Sequence, residues 1–250
     1  MSRSLCGLFR LALAVLIASG VGTILVAGAS PTSAADSPKP KPPPGLAPVA
    51  PPAAPVPSGA IRPGFDSISY GGNDDLTYPC TGEVGCTPTA VALPFSMDFY
   101  GNTYNELFVN NNGNLTFGSS LATYTPYPLS GSGPPIIAPF FADLDTRTGA
   151  TVSFGAGTVG GRQAFGVNWP GVGCYDENLL VLNDLQVLLI DRSDVAVGDF
   201  DIEFNYGYVQ WDAGQASGGD GSCTNGTAAR AGFASGTGAA GTSSSFPARA

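Results

Sequence analysis

Two short stretches hold the residues best suited to chemistry. In Gly198–Trp211, GDFDIEFNYGYVQW, the residues Asp199, Asp201, Glu203 and Asn205 alternate with Phe200, Ile202, Phe204 and Tyr206. An extended chain sends alternate side chains to opposite faces, so one face is a row of carboxylates and the other is apolar. ADLDTR, from Ala142 to Arg147, repeats the two-residue spacing with Asp143 and Asp145. Three chemistries fit these acids. If the two strands lie side by side, Asp143, Asp145, Asp199, Asp201 and Glu203 converge and supply oxygens to calcium, which takes six to eight of them. A pair of the acids would serve as acid and base on a glycosidic bond, with Trp169, Trp211, Tyr206 and Tyr208 as rings for the sugar. Or the row faces water, the ordinary condition of the outer side of an antiparallel sheet. Asp74 and Asp75, in YGGNDDLTYPC, are a further candidate calcium loop in a composition that turns also require.

The remaining composition narrows the field. The 250 residues include no histidine. That removes the commonest general base near neutral pH, and with it Ser-His-Asp and Cys-His catalysis. Beyond Ile61, eighteen acidic residues face six arginines. A surface of that sign repels phosphate backbones, so nucleic acid is excluded as a partner and cations or basic partners are favoured. Cys6 precedes the apolar leader and is incidental. The other four cysteines, Cys80, Cys86, Cys174 and Cys223, are an even set, as disulfides in an exported chain require. Three pairings are possible. Cys80–Cys86, pinching CTGEVGC, with Cys174–Cys223 is favoured, and a four-thiolate metal site lacks the usual close cysteine spacing.

Export is written at the amino terminus. Arg3 and Arg10 precede a 19-residue apolar run, Leu11 to Ala29, and SAAD follows. This predicts a signal peptide over residues 1–35, cut after Ala35, with an uncleaved signal anchor as the competing reading and the only route to a membrane. Residues 36–60 form a Pro-rich linker, with ten prolines in the twenty residues from Pro38 to Pro57. Such a segment is an extended spacer, reaching about 60 Å at ~3.1 Å per residue. From residue 61 the pattern is strand and turn. LFVNNNGNLTFG reads as a hairpin about Asn112-Gly113, and Pro139 in PPIIAPFFADLD demands a bulge or an edge. ATVSFGAG and RQAFGVNW read as a second hairpin, and LNDLQVLLID as a strand covered on both faces. Roughly ten short strands without a helical segment predict an all-β, two-layer antiparallel sandwich over 61–238 and a flexible tail over 239–250. Asn114-Leu-Thr and Asn225-Gly-Thr match the glycosylation tripeptide.

Four blocks carry a family likeness: LPFSMDFYGNTYNELFVNNNGNLTFGS, PPIIAPFFADLDTR, GDFDIEFNYGYVQW and ARAGFASGTG. In order and spacing they resemble the nidogen-like domain, from about Leu93 to Gly238. The resemblance implies an extracellular module concerned with cell–matrix adhesion. It brings no catalytic residues, and no cofactor beyond the calcium considered above. The expected partner is an extracellular protein or glycan. The Pro-rich spacer and compact leader suit a bacterial secreted member.

Overall fold

Glycine and proline interrupt this chain so often that, among the described residues, no helix longer than three residues forms, and backbone groups must pair between strands. The computed structural model describes Lys39 and residues 59–250. The expected leader and the rest of the Pro-rich linker lie outside the described residues. Among the described residues twelve strands build two sheets. The first runs β1 (Ile68–Gly71), β7 (Thr151–Val159), β8 (Arg162–Cys174), β9 (Asn178–Asp191), β10 (Phe200–Val209), with β6 (Leu144–Asp145) also pairing with β8. The second runs β12 (Ser243–Pro247), β11 (Arg230–Ala234), β5 (Ile136–Phe141), β4 (Asn114–Thr116), β3 (Asn102–Asn110), β2 (Val91–Phe99). Every pairing is antiparallel. The all-β sandwich read from the sequence is the observed fold.

The core lies between the sheets. Leu107, Leu115, Ile137 and Phe140 of the second sheet meet Phe154, Val167, Trp169, Leu185 and Leu189 of the first, all buried. Phe200, Ile202, Phe204 and Tyr206 line this core from β10, as their alternation requires. The unbroken apolar run of β9 also has its reason. Val187 and Leu189 face the main core, while Leu188 and Ile190 join Phe65 and Ala164 in a second cluster on the opposite face.

Turn chemistry sets the registers. Asn110 pairs with Asn114, so Asn111-Asn112-Gly113 make the hairpin turn. Gly113 has φ +67°, and a Cβ there would lie 2.0 Å from the Phe140 carbonyl oxygen; only glycine fits. Gly160 and Gly161, both at positive φ, join β7 to β8. Pro139 sits where the β5–β11 register slips between Phe141 and Ala138, the bulge expected of a proline inside a sheet. Disulfides join Cys80 to Cys86 and Cys174 to Cys223, the favoured pairing. One expectation needs correction. Residues 239–250 are not wholly a loose tail: Ser243–Pro247 form β12, which pairs with β11 along its length. Their serines have little apolar content to announce a strand; the open edge of β11 recruits them through backbone hydrogen bonds.

Candidate functional site

Two loops and a short strand bring acids to one place. Asp74 and Asp75 follow β1, Asp143 joins β5 to β6, and Asp145 closes β6, where it bridges to Asp74. One carboxylate oxygen from each of Asp74, Asp75 and Asp143 lies within 4.8 Å of the other two. At their centre is the ammonium of Lys39, from the Pro-rich segment. Its Nζ lies 2.5 Å from Asp143 Oδ1, 2.7 Å from Asp74 Oδ1 and 2.9 Å from Asp75 Oδ1. The rings of Tyr175 and Tyr124 complete the enclosure, their centroids 4.0 and 4.8 Å from the same nitrogen. The Lys39 side chain is 9% exposed and that of Asp143 not at all.

The asparagine run of the β3–β4 turn holds these loops. Asn110, Asn111, Asn112 and Asn114 are all fully buried, and each satisfies backbone or side-chain groups of its neighbours, as buried amides must. Asn112 Nδ2 donates to Asp75 Oδ1 at 2.9 Å, and its Oδ1 accepts from the Leu144 amide at 3.0 Å. Asn111 Nδ2 donates to the Leu144 carbonyl at 2.7 Å, and its Oδ1 accepts from Tyr78 Oη at 2.7 Å. Trp169 Nε1 donates to the Asn111 carbonyl at 3.1 Å. One turn thus spans the Asp75 loop, the Asp143–Asp145 loop and the core of the facing sheet. Gly214 closes the far side: a Cβ there would stand 2.3 Å from Asp143 Cβ.

Three carboxylates around one ammonium leave excess negative charge away from water. Burial pushes the Asp143 carboxyl up to about 7 against the opposing pull of Lys39. Burial, reinforced by Asp75, raises Asp74 to about 6. Burial alone would lower the Lys39 pKa, but the fields of Asp143, Asp75 and Asp74 outweigh it and raise it above its ordinary value. Asp143 Oδ2 is buried with no hydrogen-bond partner among the described residues. Asp145 stands apart in role. Both its oxygens are held by Arg147, at 3.0 and 2.5 Å, and its Oδ2 also accepts from the Glu177 amide.

The five-residue calcium cluster expected from the sequence does not converge. Asp201 pairs with Ile190 and Ile190 with Ala164, whereas Asp145 pairs with Gly173, nine residues further along β8. At ~3.3 Å per residue this separates the groups by roughly 30 Å. Two of the three acids Asp199, Asp201 and Glu203 are instead held by arginines. Glu203 accepts from Arg62 at 2.6 and 3.1 Å, Asp201 lies 2.8 Å from Arg192, and Asp199 is exposed. Nor do the rings frame a sugar cleft: Trp169 and Trp211 are buried in the core. Asn114 is buried, so the first glycosylation tripeptide presents no acceptor, while Asn225 is exposed. Asp143 keeps its place in the site with Asp74 and Asp75. Lys39 and the asparagines were missed, the first because it sits in a spacer, the second because NNNG reads as turn composition.

The nidogen-like domain model matches residues 105–249, and the chain belongs to that family. It is 26% identical over 171 residues to alpha-tectorin of Gallus gallus, covering 59% of this chain and 8% of the relative. It is 28% identical over 148 residues to nidogen of Drosophila melanogaster, covering 48% and 10%. Human alpha-tectorin is similar at 27% over 171 residues, covering 59% and 8%. The chain therefore spans a tenth or less of the length of these relatives. No solved structure matches it. Among the described residues no helix is long and apolar enough to cross a membrane. With its two disulfides and its place in the nidogen-like family, the domain is an extracellular one, secreted or at the cell surface.

Proposed function

We propose that this chain is a non-catalytic adhesion module, displayed at the cell surface or in the surrounding matrix, with an extracellular protein or glycan as its ligand. Membership of the nidogen-like family is the observation that carries this reading. The leader exports the chain, and the disulfides keep the loops of the sandwich in fixed relation. A carbohydrate-active alternative draws no support from the β10 face, where Arg62 and Arg192 occupy Glu203 and Asp201. Beads coated with the purified chain provide the test. They should bind native cell surfaces or matrix saturably, and soluble chain should compete. Absence of competable binding, or release of sugars from a glycan panel, would overturn the proposal.

A further inference from the structure

The enclosure around Lys39 has the chemistry of a receptor. An alkylammonium carries three N–H donors and no acceptor, and the pocket presents three carboxylate oxygens at 2.5, 2.7 and 2.9 Å. Tyrosine faces attract a cation when it is shielded from water, and two of them, Tyr175 and Tyr124, stand against this one. Calcium asks for six to eight oxygens. Here two walls are ring faces, and the fourth nearby carboxylate, Asp145, is committed to Arg147. The contact is no accident of neighbouring sequence: Lys39 lies 35 residues from Asp74 and 104 from Asp143. Asp143 Oδ2, buried and unpartnered among the described residues, shows that the pocket holds more acceptor capacity than its own donors satisfy. Pro38 and Pro40 flank the lysine in sequence, and proline limits the freedom that a bound segment must surrender.

We propose that Asp74, Asp75 and Asp143, with Tyr124 and Tyr175, form a lysine-binding pocket for a proline-flanked segment, filled in cis by Lys39 and open to an equivalent lysine from another chain when Lys39 is withdrawn. This names a ligand class for the module proposed above and rests on that reading, but its test does not depend on adhesion.

Two measurements decide it. Acylation of the native full-length chain with an amine reagent, followed by mass spectrometry, should modify Lys39 at least tenfold more slowly than in the urea-unfolded chain. Equal rates overturn the cis contact. Isothermal titration of the Lys39→Met chain with the peptide SPKPKPPPG, blocked at both ends, should show one saturable site. The same peptide with both lysines replaced by norleucine should not bind, and the wild-type chain should bind the lysine peptide at least tenfold more weakly because Lys39 competes. If folded Lys39→Met binds calcium and not the peptide, the pocket is a metal site and the proposal fails. If it binds neither, it fails too. Should Lys39→Met not fold, the acylation rates on the native chain still decide the cis contact. Wild-type adhesion unaltered by Asp143→Asn would detach the pocket from adhesion while leaving the module reading intact.

Discussion

Asp143 and Gly113 are the residues on which the site turns. Asp143 and Asp74 have pKa values raised to about 7 and about 6, above the ~3.9 of an unfolded aspartate. The native chain therefore binds more protons than the unfolded one across that interval, and the contribution of these two acids to stability falls as pH rises from about 4 to 7. Lys39 works in the opposite range: its pKa is raised, so its contribution is present below the ordinary lysine value and lost above the folded one. Asp145, Asp176 and Arg147 adjoin the cluster and modulate the same field. Urea melts at pH 5 and pH 8 should show Asp143→Asn flattening this slope by on the order of 2 kcal/mol; an unchanged slope would remove Asp143 from the account. Gly113→Ala combines a positive φ with a collision against the Phe140 carbonyl. It should cost at least about 2 kcal/mol in the same assay. Asp143 was legible in the sequence as a ligand-type residue. Its partners were not, because Asp74 and Lys39 reach it across 69 and 104 positions of chain, and spacing reports only neighbours.

At the scale of elements, alternation and turn residues told most of the story. β10 buries the predicted side, and the double-sided burial of β9 follows from its unbroken apolar run. What covers the outer face of β9 was not legible. Phe65, from a segment without strand pattern, lies against Ala164, Leu188 and Ile190. Phe65→Ala should lower stability by roughly 3 kcal/mol, the usual loss for a buried aromatic ring, and a loss below 1 kcal/mol by urea denaturation would show that the outer cluster is dispensable. β12 is an edge strand of serines whose main role is to pair β11. Deleting residues 239–250 uncovers that edge. The shortened chain should self-associate in light scattering, and a monomer as stable as the parent would contradict the role given to β12.

For the whole molecule, two cross-links divide the restraint unequally. Cys174–Cys223 closes a separation of 49 residues and Cys80–Cys86 one of 6. Loop-closure entropy assigns about 4 kcal/mol to the first and about 2 kcal/mol to the second. Replacing Cys174 and Cys223 together by alanine should therefore depress the melting temperature more than replacing Cys80 and Cys86, and the reverse order would show that native-state strain dominates.

Local physics, acting through neighbours a few residues apart, determined the strand pattern, the hairpins, the apolar faces, the absence of histidine catalysis, and the family through its four ordered blocks. The tertiary structure alone decided which acids meet. Sheet register set the β10 carboxylates roughly 30 Å from the Asp145 strand, and loop packing around buried asparagines drew Asp74, Asp75 and Asp143 about Lys39. Charges converge through contacts distant in sequence, and no pattern read along the chain records those contacts.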